Sequence, residues 1–210
     1  VRPNPEEFIR DRLVLAPLSF RPDISLYRPT PQSGLTAWLA EMGRDDDPPY
    51  WAYAWAGGAA LALYLRDHPE TVAGKTVLDF GAGSGLVGIA ALLAGASRVF
   101  AIEPDPIACA AIALNAVANG ASIDIWSHPD LPQVDIILAG DVFYERDVAT
   151  KTMAILRTSP ARVIVGDPFR RDLPLDMLDQ CAEYEVPDVG GGVTRAGVFA
   201  LRPGHIGNAP

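Results

Sequence analysis

From residue 76 onward, short apolar runs rich in β-branched residues alternate with longer stretches of helical periodicity, the pattern of a parallel sheet covered by helices. Strands are expected at residues 76–80, 98–102, 122–126, 134–139 and 162–166, and two more at 182–186 and 196–201. Helices are expected at 85–94, 106–119 and 146–157, while only a short connection, 127–133, precedes the fourth strand. The run Pro187-Asp188-Val189-Gly190-Gly191-Gly192 reads as a turn joining the last two strands, so the sheet should end in an antiparallel hairpin. The fold class that follows is α/β, Rossmann-like, with a seven-strand and mostly parallel sheet.

The first 75 residues follow another rhythm. Proline breaks at Pro29 to Pro31 and Pro48-Pro49 separate a short helix, an extended piece at 24–28 and a helix at 33–42, and a longer helix at 53–68 then leads into the first strand. Residues 1–75 are read as a helical extension packing on a catalytic unit of residues 76–210, both within one structural unit, since 210 residues suit a single core. Gly57-Gly58 in the longer helix would let another element approach its backbone closely.

Charge narrows the partners. With 17 basic against 26 acidic residues the net charge is −9, and Lys occurs only at Lys75 and Lys151. Phosphate backbones are bound by neutralising Lys and Arg, so nucleic acid is disfavoured, whereas an acidic surface suits a protein that presents a basic side chain. The apolar fraction of 49% is broken by Gly or charge well before the length of a membrane span, and Val1 to Glu7 lack the pattern of a secretion signal; a cytoplasmic protein is expected. Cys109 and Cys181 match neither a disulfide framework nor a metal motif and are expected to be buried thiols. His68, His128 and His205 are too widely separated to suggest a metal site.

The candidate chemistry lies at the strand ends. The first strand delivers Val77-Leu78-Asp79-Phe80-Gly81-Ala82-Gly83-Ser84-Gly85, and a helix begins at once; a glycine turn there lets backbone approach a ligand in the crevice of an open sheet. At the end of the second strand Glu103 can accept hydrogen bonds from both hydroxyls of a ribose. Gly83-Ser84-Gly85-Leu86-Val87-Gly88 also spells the dinucleotide pattern G-x-G-x-x-G. Asp79 separates the two cofactors: beside a pyrophosphate its carboxylate would be repelled, beside the ammonium or sulfonium of S-adenosyl-L-methionine it is attracted. Trp126 ends the third strand, where its face could stack on an adenine or simply fill the core. The fourth strand ends in Ala139-Gly140-Asp141-Val142-Phe143-Tyr144-Glu145, where Asp141 would position an incoming amine and Tyr144 would set its trajectory.

Asp141-Val142-Phe143-Tyr144 matches the D-x-x-Y motif of the family-16 seven-strand protein lysine methyltransferases, and the run from Pro49 to Gly58 resembles their signature ahead of the first strand. Residues 74–80, Asn115, residues 139–145, Gly166-Asp167-Pro168 and Phe8-Ile9-Arg10 extend the resemblance over most of the chain, towards the bacterial form of the electron-transfer flavoprotein β-subunit lysine methyltransferases. The resemblance implies cofactor contact from Trp55, Asp79, Gly81, Gly83, Glu103, Trp126 and Ala139, with Asp141 and Tyr144 at the acceptor. It also implies that the protein substrate is the electron-transfer flavoprotein β-subunit. Gly81-Ala82-Gly83 and Glu103 depart from the family pattern, and Gly190 to Arg195 is shorter than it, which bears on acceptor choice. The alternatives are a small-molecule N- or O-methyltransferase, for which residues 33–42 could form a lid, and a catalytically silent binding module of the same fold, against which Asp79, Glu103 and Asp141 speak. A rival D-P-P-Y tetrapeptide at Asp47-Pro48-Pro49-Tyr50 follows charged residues instead of an apolar strand and is read as a turn.

Overall fold

The computed structural model describes residues 4–44 and 48–203. The residues read for a secretion signal begin ahead of this range, and Asp47 and His205 also lie outside the described residues. The chain opens with α1 (Pro5–Arg12), β1 (Val14–Leu18), β2 (Arg21–Arg28), α2 (Leu35–Glu41) and, after a short 3₁₀ turn at Tyr50–Ala52, α3 (Ala56–Asp67). Then follow β3 (Thr76–Phe80), α4 (Leu86–Leu93), β4 (Arg98–Ile102), α5 (Pro106–Ala118), β5 (Asp124–Ile125), β6 (Ile136–Gly140), α6 (Arg146–Leu156) and β7 (Arg162–Asp167). A hairpin of β8 (Leu178–Pro187) and β9 (Val193–Leu201) closes the order.

Seven strands form one sheet in the order β5-β4-β3-β6-β7-β9-β8, the first five parallel and the last two antiparallel. Strand order reverses between β3, whose chain continues to β4, and its other neighbour β6. That reversal opens a crevice at the carboxyl ends of the strands, where open α/β sheets bind ligands. Alternate side chains feed the two faces. Val77, Ile136, Leu138 and Ile164 join α3 and α4 in one apolar cluster, while Leu78, Ile137, Ala139, Val163 and Val165 join Phe143 and α6 in the other. This double burial explains why β3, β6 and β7 read as nearly unbroken apolar runs.

The amino-terminal segment is not only helical. Val14 and Leu15 are exposed and Pro17 interrupts the run, so β1 lacks the alternation that marks a half-buried strand. The hairpin is held by its partner: the free edge of β2 is satisfied by side chains of α5 and of its C-cap residue Asn119. Asn115 Oδ1 accepts the Tyr27 N–H at 2.8 Å, and Asn119 both accepts from the Ser25 N–H at 2.8 Å and donates to the Ser25 carbonyl at 2.7 Å. Two asparagines thus act as a short strand and protect an edge that would otherwise pair with another chain.

The helix expected at 53–68 begins only at Ala56, after the turn. The strand expected at 122–126 keeps two paired residues, because Pro129 and Pro132 leave little regular backbone around it. The cysteines also correct the expectation. Cys109 is half-buried and Cys181 is exposed on the edge strand β8, where side chains alternate outward. Among the described residues no helix is long and apolar enough to cross a membrane.

Candidate active site

A cavity of about 750 Å³ occupies the crevice, lined by the ends of β3, β4 and β6, by residues just after β5, by the turn ahead of α3 and by the loop after β7. Trp55, Asp79, Gly81, Gly83, Glu103, Trp126, Asp141 and Tyr144 all line it, so the sequence brings eight expected site residues to one place. Ala139 does not. It is fully buried in the cluster beneath the sheet with Ile137, and the residue of β6 that reaches the cavity is Gly140. The period-two alternation of a strand dictates this, since the Ala139 side chain must point where that of Ile137 points.

Glu103 organises the cofactor end. Its Oε2 accepts the Gly83 N–H at 2.8 Å and its Oε1 the Asp105 N–H at 3.0 Å, which fixes the carboxylate and the glycine turn to one another. Burial pushes the Glu103 carboxyl above its usual range, against the pull of these two amides. Each oxygen keeps a further lone pair for a ligand hydroxyl. Gly81 and Gly83 adopt φ of 71° and 52°, the left-handed region in which a side chain would be strained. Asn115 Nδ2 donates to the Ser84 carbonyl at 2.9 Å, so the residue that receives β2 also pins this turn.

Trp126 is half-buried, not a core tryptophan. Its indole N–H donates to the Asp130 carbonyl at 2.7 Å, and Phe100 meets it edge-on at 5.4 Å between centroids. Trp55 is fixed similarly, donating to the Tyr50 carbonyl at 2.7 Å with its ring 5.7 Å from that of Tyr50.

The two aspartates also have a structural role. The N-caps of α4 and α3 are Gly85 and Trp55, neither of which offers a capping side chain. Asp79 Oδ2 accepts the Gly88 N–H at 2.8 Å, and Asp141 Oδ2 accepts the Gly58 N–H at 2.8 Å. Gly88 and Gly58 are both the third residue of their helix, so a carboxylate from the adjacent strand end satisfies an amide that the helix leaves open. Burial still pushes Asp79 up to about 7, with the Gly88 amide opposing and the charge of Glu103 adding to the rise.

Asp141 holds φ at 60°, a left-handed conformation that Asp tolerates better than most residues. Its Oδ1 takes a charge-assisted hydrogen bond from Arg170 Nη1. Burial pushes the Asp141 carboxyl up; Arg170 and the α3 amides pull it down. Arg170, which also lines the cavity, was missed from sequence. Its signal was a cation three residues beyond the strand-end Asp167. Tyr144 projects from the loop after β6 with 42% of its surface exposed, its ring 5.4 Å from that of Tyr50. Phe143, fully buried beneath it, anchors that loop.

The family model of ribosomal protein L11 methyltransferase matches residues 60–142, which carry β3 to β6 and the glycine turn. The electron-transfer flavoprotein β-subunit lysine methyltransferase of Rattus norvegicus is 37% identical over 202 residues, covering 88% of this chain and 79% of that protein. That of Homo sapiens is 41% identical, covering 88% and 77%. Among solved structures, magnesium protoporphyrin IX methyltransferase from Synechocystis PCC 6803 with bound S-adenosylmethionine superposes with a TM-score of 0.52 at 16% identity. The superposition covers 69% of this chain and 77% of that one, and shows the same fold.

Proposed function

Because the chain belongs to the electron-transfer flavoprotein β-subunit lysine methyltransferase family, we propose that it transfers a methyl group from S-adenosylmethionine to lysine side chains of that flavoprotein subunit. One observation carries the reading. A single cavity has Glu103 and Trp126 along one part of its wall and Asp141 and Tyr144 along another, so a nucleoside and an acceptor side chain can meet inside it.

The residues present fit the cofactor. Trp51, one of the residues lining the cavity, has a buried Nε1 donor without a hydrogen-bond partner among the described residues, a group that a carboxylate such as that of methionine could take up. The spare lone pairs of Glu103 suit ribose hydroxyls, and the Trp126 face suits a base. When bound, S-adenosylmethionine supplies an activated methyl group. The protein supplies alignment: Asp141, held by α3 and Arg170, offers a fixed acceptor for the ε-amine, and Tyr144 narrows its approach. Positioning of this kind is the main contribution open to an enzyme for a direct transfer between two bound groups.

The small-molecule reading relied on a lid at residues 33–42. None of these residues lines the cavity; Leu35, Trp38 and Leu39 pack into the cluster of α1, Trp51 and α5. The test is incubation with radiolabelled methyl donor and purified electron-transfer flavoprotein β-subunit, followed by peptide mapping. Label on lysine peptides is expected; an unlabelled β-subunit beside label in a small-molecule extract would overturn the proposal.

A further inference from the structure

The end of β7 and the loop after it set a second carboxylate, Asp167, beside a guanidinium, Arg170, that lines the cavity. Asp167 ends β7 with no exposed surface and accepts the Arg170 backbone N–H at 2.6 Å through Oδ1. Its Oδ2 has no hydrogen-bond partner among the described residues and lies 3.5 Å from Arg170 Nη1. The same Nη1 is bonded to Asp141 Oδ1. Asp141 and Phe169, the residue before Arg170, are the two non-glycine residues with positive φ among those described, at 60° and 61°. Such conformations persist only where the surroundings over-determine them. Two strained residues therefore hold one guanidinium between two carboxylates.

This inference rests on the lysine-methyltransferase reading, and the problem it answers is electrostatic. A lysine side chain arrives as an ammonium with a pKa of about 10.4, yet only the free amine has the lone pair that accepts a methyl group. Asp141 and Asp167 would retain the proton, because negative charge within about 4–6 Å favours the charged form of the amine. A guanidinium does not deprotonate in this range, so it offsets one of the two negative charges whatever the pH and weakens their hold on the proton.

We propose that Arg170 is a positioning residue of the methyl-transfer site, which bridges Asp141 and Asp167 so that the acceptor nitrogen docks on Asp141 as a free amine. The ammonium gives its proton to water on entry. The nitrogen lone pair then forms the N–CH3 bond while the C–S pair remains on sulfur, so the sulfonium becomes a neutral thioether and the amine a methylammonium. Other charged or titratable groups around the site are Tyr144, Tyr50 and Tyr53 on the cavity wall, with Asp79, Glu103, His128 and the Asp105–Arg44 pair also along it. Arg195 of β9 lies 5.9 Å from the Phe169 ring centroid, and Arg146 of α6 pairs with Asp172 at 3.8 Å. The amides of Gly57 and Gly58 face Asp141 from α3.

Two charge removals of opposite sign test this. With the β-subunit saturating, the pH dependence of kcat reports groups in the enzyme–substrate complex. Arg170→Gln should move its acidic limb to higher pH by about one unit or more, and Asp167→Asn should move it lower. Arg170→Lys should keep the wild-type limb even if the maximal rate falls. Calorimetry in buffers of different ionisation enthalpy supplies a readout without turnover: at mildly alkaline pH the wild type should release more protons on binding the β-subunit than Arg170→Gln. If Arg170→Gln fails to fold, Asp167→Asn and Arg170→Lys carry the test. Superimposable limbs and equal proton release in a wild type that does methylate the β-subunit would overturn the proposal alone. A wild type that leaves the β-subunit unlabelled overturns the functional reading and the proposal with it.

Discussion

Adjacent glycines in the first turn of α3 should respond to the same substitution with opposite signs. A Cβ on Gly57 would lie 2.1 Å from the Gly166 carbonyl oxygen, 2.6 Å from its carbon and 2.8 Å from Asp141 Oδ2. Carbon–oxygen contacts are relaxed only from about 3.3 Å, so α3 and β7 would have to part by roughly 1 Å. The obstacle is backbone, which cannot rotate away, and α3 packs on β6, β7, β8 and β9 together. Overpacking of this kind costs about 1–3 kcal/mol, and contact between two main chains places Gly57→Ala at about 3 kcal/mol, even after the better helix propensity of Ala is counted. A Cβ on Gly58 would meet only ordinary contacts, Val87 Cγ2 at 3.6 Å, Leu86 Cδ2 at 3.9 Å and Asp141 Oδ2 at 4.0 Å. Gly58→Ala should therefore be neutral or stabilising by up to about 1 kcal/mol, from propensity and a less free unfolded chain. Urea unfolding reads both variants, and for a chain of this size the loss in Gly57→Ala corresponds to a fall in Tm of about 6–12 °C. A Gly57→Ala protein within 1 kcal/mol of wild type would show that the helix does not press on the strand as argued.

Glu103→Gln preserves shape but replaces a charged acceptor; calorimetry should find cofactor affinity lowered by about tenfold to a hundredfold, and an unchanged constant would remove Glu103 from the site. Asp141→Asn can still accept from the Gly58 amide, so it should fold and bind cofactor as wild type does while kcat falls at least about tenfold, with Tyr144→Phe losing less; wild-type turnover in Asp141→Asn would deny the carboxylate a role. Asp79, raised to about 7 by burial from an ordinary 3.8, binds a proton in the folded chain that the unfolded chain has already lost. The cofactor-free protein should thus be most stable at low pH on this account and lose that contribution as pH rises from about 4 to about 7. Asp167, raised to about 6, adds the same sign, so Asp79→Asn should flatten the upper part of the decline in a pH series of urea melts, and an unaltered slope would refute the assignment.

Much of this site is legible in the sequence because its strands are buried on both faces. Continuous apolar runs mark β3, β4 and β7 almost to the residue. The expected site residues lie at or just beyond the ends of β3, β4, β5 and β6 or in the Trp-rich turn, whereas Arg170 stands three residues past the end of β7. What the sequence concealed is direction. Ala139 stands beside Gly140 in the chain but on the opposite face of the sheet, an assignment that needs the register of β6 against β7. The strand β1 is invisible to periodicity since its outer positions carry Val14 and Leu15. The clue to a second, structural role for the aspartates lies in the helix starts: the N-caps Trp55 and Gly85 offer no capping side chain, so α3 and α4 must find one elsewhere.

That second role ties stability to chemistry. At β3 and again at β6, a buried strand-end carboxylate closes the third amide of the helix it faces, so the helix orients the carboxylate and the carboxylate completes the helix. Partial positive charge at a helix start favours the anion, which offsets part of the cost of burying it. The two copies of the arrangement differ in one respect. Asp79 has only the Gly88 amide and the repulsion of Glu103, and is raised to about 7, whereas Asp141 also has Arg170. An underpaired carboxylate suits a cationic ligand that arrives with its charge, as the cofactor does. A carboxylate already paired suits a ligand that must shed its charge before reacting, as a lysine must. The same strand-end device thus serves donor and acceptor, and the guanidinium from the loop after β7 distinguishes them.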